Sequence, residues 1–346
     1  MKPAVALALL ALNMVLTAVA AGAADQKSAT SSYDLVEASA VPSSAPADLF
    51  VVGYSDAEGN YYLEQHDVDR DQGPPILKFD KTGQLKTTFT LPAGLIGSSF
   101  FVDDKQTLYR LAFHAYKSDA ASLVKNDFDR LVLIYAKDGS LKTQVKLEVT
   151  ARLIPYQIGV FGSGDFLISG NWSTKHLDDP PQFYTAIFTS EGKLVKKITP
   201  AGDDGLMQPS DFNYGPGHNN ALSGGHVALA SDGNLYLMRR TLPAVIYAIS
   251  PRGEVVRTLA VDSDGTGLYP TNLVSREGHL AIVFKNYGDR PPWPEFLKVI
   301  DLEGNTLAAY HVDPHTGTML LSFKSSRFTF LTQDSGRWRL AEFVPH

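Results

Sequence analysis

The chain has 346 residues and a formal net charge of −6 at neutral pH, with 28 Gly, 20 Pro, no Cys, 10% aromatic and 20% charged residues. That composition excludes a disordered or collagen-like chain, a disulfide-stapled miniprotein and a metal centre held by thiolates. Basic residues are scattered rather than clustered, which argues against a nucleic-acid partner.

In chain order, Met1, Lys2 and Pro3 precede an apolar stretch over 4–20, and Ala18, Ala20, Ala21 and Ala23 supply small residues for cleavage. Residues 1–23 therefore read as a secretory signal peptide, which places the mature chain in a secreted or periplasmic location with no membrane span after cleavage. An exported chain without cysteine must rely on packing and strand ladders alone. Residues 24–47 are rich in Ala, Ser and Pro and read as a linker with one strand-like piece at 33–38.

From residue 48 onward a unit repeats. Its mark is an apolar strand, a tight turn ending in glycine and a second strand, at Gly83, Gly139, Gly192, Gly253 and Gly304, which lie 56, 53, 61 and 51 residues apart. Glycine closes such hairpins because it takes positive φ without steric cost. A second strand pair precedes each hairpin, as at His226 to Ala230, the turn at Ser231, Asp232 and Gly233, and Asn234 to Met238. Comparable front pairs begin near Leu49, Ser98, Tyr156, Asn272 and Thr318. Outer strands follow at 85–90, 141–147, 194–198, 255–260 and 306–312, whereas the sixth unit stops after a third strand at 339–343.

Repeats of about 50 residues with four short strands each point to an all-β, six-bladed β-propeller over 48–346. The strand at 33–38 is expected to complete the last blade and close the ring. Residues 200–224, rich in Gly and Pro, read as an insertion. A large β-sandwich does not require the same unit six times.

The stretch from Gly233, Asn234, Leu235, Tyr236 and Leu237 through Ile246 to Gly253 and on to Leu259 resembles the repeat of six-bladed propellers of the NHL type. The resemblance implies architecture and says little about activity, since this fold hosts binding proteins, hydrolases and lyases. The polar residues usual in the middle of that repeat are replaced by Arg239, Arg240, Thr241, Leu242 and Pro243.

Long connections at 67–75, 116–129, 173–182, 200–224 and 286–295 all fall on one face of such a ring, which makes that face the expected working surface. Asp67, Asp69 and Asp71 alternate in the first of these loops and could share a hard cation such as calcium, although the loop departs from an EF-hand at Gln72 and Lys78. His218, Asn219 and Asn220 in the insertion, with His226 at an inner strand, could orient a polar ligand or a metal. The inner-strand starts at Ser98, Tyr156, His226, Asn272 and Thr318 carry no carboxylate. Of Arg239 and Arg240 one is expected to face the channel and suit a carboxylate or phosphate, since strand neighbours point opposite ways. Trp172 and Trp293 offer stacking platforms. There is no nucleophile elbow, phosphate loop or zinc-protease motif.

The leading expectation is a monomeric exported propeller that binds a small molecule, a glycan or a protein on its long-loop face. A metal-assisted hydrolase or lyase with its site at the channel mouth is the alternative. A non-catalytic interaction scaffold is the third reading, and whether the chain is an enzyme stays open.

Overall fold

In the computed structural model of the chain the described residues are 32–45, 53–64, 74–114, 129–149, 153–172, 182–200, 226–264, 268–285, 295–312 and 319–346. They form an all-β, propeller-like arrangement. The first strand, β1 (Ser32–Pro42), precedes a sheet of β2 (Gly53–Ser55), β3 (Tyr61–Glu64), β4 (Ile76–Phe79) and β5 (Leu85–Phe89), hydrogen-bonded in chain order. A second sheet holds β6 (Leu95–Val102), β7 (Leu108–His114), β8 (Arg130–Tyr135) and β9 (Leu141–Lys146). The third holds β10 (Leu153–Val160), β11 (Phe166–Trp172), β12 (Gln182–Phe188) and β13 (Leu194–Ile198). The fourth holds β14 (Val227–Leu229), β15 (Leu235–Arg239), β16 (Ala244–Ile249) and β17 (Val255–Val261).

The remaining strands are β18 (Tyr269–Arg276), β19 (His279–Lys285), β20 (Glu295–Asp301), β21 (Thr306–Val312), β22 (Met319–Lys324), β23 (Arg327–Asp334) and β24 (Arg337–Pro345). Together with β1 they make one eight-stranded sheet, in the order β18-β19-β20-β21-β1-β24-β23-β22. The strand expected at 33–38 is therefore longer than its sequence pattern and paired on both sides. Ser32 to Leu35 run parallel to Ala309 to Val312, and Leu35 to Pro42 run antiparallel to β24.

Local chemistry explains the hairpins. At Asp56, Asp103, Asp232 and Asp301 the carboxylate accepts backbone N–H groups from the turn that follows, a side-chain mimic of a backbone turn. The repeat glycines have positive φ, and close approach of a neighbouring sheet is a second reason that these positions are glycine. A Cβ on Gly139 would sit 2.8 Å from the Thr88 carbonyl oxygen of the first sheet, and one on Gly192 would sit 2.1 Å from the Lys146 carbonyl oxygen of the second. Each hairpin thus presses on the outer strand of the sheet before it. Gly83 meets the Pro42 carbonyl oxygen of β1 in the same way, at 2.2 Å.

Apolar clusters fill the spaces between successive sheets. Tyr62, Ile76 and Phe89 pack on Phe100, Leu131 and Leu133, while Ala244, Ile246 and Leu259 pack on Leu280, Ile282 and Phe284. The two halves of the eight-stranded sheet also face one another, with Val283, Leu297 and Val299 against Leu320, Phe328 and Phe330. Leu331, Trp338 and Leu340 in turn pack on Tyr61, Leu63 and Phe79 of the first sheet. The innermost strands β2, β6, β10, β14, β18 and β22 neighbour one another in that order, and β22 lies next to β2.

The inner strands begin earlier than the sequence pattern indicates, at Leu95 rather than Ser98 and at Leu153 rather than Tyr156. The reason is a bulge. Ser98, Tyr156, Thr271 and Leu321 each fall at a register shift in an inner strand, so side-chain alternation breaks there and hides the preceding residues.

Candidate functional site

The inner strands enclose a cavity of about 250 Å³. Its walls come from Tyr54, Phe101, Val227, Leu229, Leu273 and Leu321, residues of five different inner strands. The lining is graded. Gly53, Val227, Ala228 and Asn272 are buried, while Asp104, Ser231 and Glu277, at the short turns leaving the inner strands, are exposed. The cavity therefore opens at the short-turn end.

Arg276, the last residue of β18, crosses this end. Its Nη2 donates to the Ser55 carbonyl oxygen at 2.8 Å, to Ser55 Oγ at 3.2 Å and to the Asp56 carbonyl oxygen at 3.0 Å. Ser55 Oγ itself donates to the Leu321 carbonyl oxygen at 2.6 Å. Partial burial lowers the pKa of the Arg276 guanidinium, and the carboxylates of Asp104 and Asp56 work against that shift. The Asp56 carboxylate is saturated, because it accepts from Asn60 Nδ2 at 2.8 Å and Tyr62 Oη at 3.1 Å besides the turn N–H groups. Asp103 is held likewise by Tyr109 Oη at 3.2 Å. Burial, reinforced by these carboxylates, pushes the Tyr109 phenol up to about 12, and the Tyr62 phenol is pushed up as well. The phenols stay protonated and serve as donors.

At the other end of the cavity stands His226. Burial, with the Arg240 guanidinium as a second cause, pushes its imidazole down to about 4, while a hydrogen bond with the Thr271 backbone acts in the opposite sense. The ring is neutral at physiological pH. Arg240 Nε donates to the Pro270 carbonyl oxygen at 3.0 Å, and Asn272 Nδ2 donates to the Leu320 carbonyl oxygen. The first ties the end of β15 to β18, and the second joins the inner strands β18 and β22.

The two arginines singled out by sequence thus differ. Arg239 is only 1% exposed and lies between sheets, its Nη1 donating to Ser169 Oγ at 2.9 Å and its Nη2 to Thr185 Oγ1 at 3.0 Å. Arg240 stands near enough to His226, which lines the cavity, for its charge to act on the imidazole. Trp172 ends β11. His218, Asn219, Asn220, Trp293, Asp67, Asp69 and Asp71 lie outside the described residues, as do residues 1–23 and the long connections at 67–73, 116–128, 173–181, 201–224 and 286–294. Among the described residues no group of three His, Asp or Glu side chains is placed to hold a metal ion. No helix among the described residues is long and apolar enough to cross a membrane.

Other buried charges serve the framework. Glu64 meets Arg110 Nη2 at 2.6 Å between the first two sheets, and a Cβ on Gly97 would lie 2.4 Å from Arg110 Nε, so glycine makes room for the guanidinium. Lys285 meets Glu295 at 2.6 Å across β19 and β20, where burial raises the Glu295 carboxyl to about 7 against the pull of Lys285. Asp262 and Asp264, just after β17, both hold Lys298 Nζ, at 3.4 and 2.7 Å.

Sequence reasoning missed Arg276, Asp104 and the cavity between them. The available signal was the Arg276, Glu277, Gly278 turn, which puts a cation where the first two units open the same turn with Asp56 and Asp103.

No protein-family model matches the sequence, and no curated protein matches it. Solved structures do. A protein of unknown function from Dyadobacter fermentans aligns with a TM-score of 0.57 at 10% identity, over 90% of this chain and 99% of that one. A member of the duf4221 family from Bacteroides vulgatus aligns with a TM-score of 0.52 at 8% identity, over 90% and 98%. The Neurospora crassa Pan2 WD40 domain aligns with a TM-score of 0.46 at 10% identity, over 91% and 97%. At these identities the likeness is one of fold alone.

Proposed function

We propose that the protein is an exported six-bladed propeller that binds a small molecule inside its central channel. The observation that carries the binding reading is the cavity, a concave space of mixed polarity at the axis with a buried inner end and a polar rim. Six blades follow from counting each half of the eight-stranded sheet as one blade beside the four separate sheets, with β1 as the outer strand of the last. Two features support that count. The inner strands neighbour one another in a closed succession, and the contact of Gly83 with β1 repeats the contacts that Gly139 and Gly192 make with the sheets before them. Export rests on the charged start and apolar stretch of residues 1–20.

The reading shifts the working surface from the long connections to the channel. It is tested by a thermal-shift screen of small polar compounds on the mature protein and on Ser275→Trp, in which an indole at a half-buried lining position fills the cavity. Compounds that raise the melting temperature of the wild type are expected to lose that effect in the variant. Equal shifts in both proteins would place the site elsewhere.

A further inference from the structure

The guanidinium of Arg276 is anchored through one nitrogen alone. All three of its hydrogen bonds leave from Nη2, so Nε and Nη1 have no hydrogen-bond partner among the described residues. Neither atom is sealed from solvent, and the side chain lines the cavity. A planar cation fixed through Nη2 holds Nη1 ready to donate to one carboxylate oxygen, because the rotamer entropy of ordering the side chain is already lost in the free protein. Ordinary surface arginines lack that anchoring.

Opposite charge lies close by. Asp104 is exposed, lines the same cavity and forms no hydrogen bond or ion pair among the described residues, yet stands near enough for its charge to act on Arg276. Glu277 adds a second exposed carboxylate, with Lys324 no closer than 3.9 Å. A multiply charged anion would meet these two carboxylates at the rim and be repelled. Tyr54, Phe101, Leu229 and Val274 give the same cavity apolar wall beside its polar groups. A space of about 250 Å³ admits a molecule of roughly eight or nine non-hydrogen atoms, on the scale of about 30 Å³ per water in the liquid.

We infer that the channel ligand is a small zwitterion with an apolar body, of which a free aliphatic amino acid is the simplest case, its carboxylate on Nη1 of Arg276 and its ammonium on Asp104. This rests on the channel reading above and specifies its ligand class.

The test is calorimetric titration of the mature protein with L-leucine, L-leucinamide and N-acetyl-L-leucine. The amide lacks the carboxylate, and the acetyl derivative lacks the ammonium. Leucine is expected to bind at least tenfold more tightly than either derivative. Arg276→Gln should bring leucine down to the affinity of leucinamide and leave leucinamide unchanged. Asp104→Asn should bring leucine down to the affinity of N-acetyl-leucine. Because Asp104 is exposed and forms no hydrogen bond or ion pair among the described residues, this second variant keeps the wild-type melting temperature and remains informative if Arg276→Gln folds poorly. Equal binding of all three compounds, no binding of leucine, or tighter binding of a derivative would overturn the zwitterion. If screening compounds still respond to Ser275→Trp in that event, the channel reading survives. Leucine binding that Ser275→Trp leaves intact would instead overturn both.

Discussion

Two arginines, Arg239 between the third and fourth sheets and Arg276 at the cavity rim, look alike in sequence and differ in what their donors meet. Arg239 is sealed between sheets with both terminal nitrogens on hydroxyls, Ser169 and Thr185. Arg276 is half-buried at the cavity rim, fixed through Nη2 and open at Nε and Nη1. A buried cation surrounded by acceptors is part of the framework, whereas one with donors left over toward a cavity is a recognition group. Charge and strand position do not separate the two cases.

Substitution sharpens that contrast. Arg239→Ala removes a large buried side chain together with two hydrogen bonds and is expected to cost about 3 kcal/mol by urea denaturation while sparing ligand affinity in the folded fraction. Arg276→Gln is expected to cost about 1 kcal/mol and to weaken the ligand at least tenfold. Affinity lost with Arg239→Ala and kept with Arg276→Gln would reverse the assignment.

A pair of glycines tests the seam at β1 by the same logic. Gly83 and Gly233 both hold positive φ, at 83° and 80°, so alanine at either strains the backbone by about 1 kcal/mol. Only Gly83 also presses on Pro42, since a Cβ on Gly233 meets nothing within 4 Å. Gly83→Ala is therefore expected to lose about 3 kcal/mol or more, and Gly233→Ala about 1 kcal/mol. Equal losses would mean that β1 does not pack on the first sheet.

The smallest expected effect concerns pH at the inner end of the channel. The folded imidazole of His226 titrates near 4, below its unfolded value of about 6.5. The unfolded chain takes the proton first, so the contribution of His226 is fully present above about 6.5 and is lost as pH falls toward 4. Glu295, raised to about 7, has the opposite sign, its contribution present below about 4.5 and lost as pH rises through 7. Comparing wild type with His226→Gln cancels Glu295, which both carry. Between pH 7.5 and 4.5 the wild type should lose more stability than the variant, and parallel losses would show that His226 is not held neutral.

Much of the strand pattern was legible because its causes are local. The outer strands Leu194–Ile198 and Thr306–Val312 fall where the sequence put them, since a glycine turn and an apolar alternation fix both ends. The start of β6 was hidden by the bulge at Ser98, which arises from the sheet and leaves no mark in composition. The site was less legible. Of the candidate residues His226 lines the cavity, but the cavity depends on residues from strands far apart in sequence, such as Ser55 and Arg276. Alternation tells which face of a strand a residue occupies; it does not tell whether an acceptor waits there.

The location of the ligand is measured most directly by amide hydrogen exchange, with and without a compound that raises the melting temperature. The channel account predicts slower exchange in peptides covering 53–56, 101–104, 228–231 and 272–277, with the outer strands at 85–89, 194–198 and 255–261 unchanged. Protection confined to the outer strands or the long connections, with the four channel segments unaltered, would contradict it.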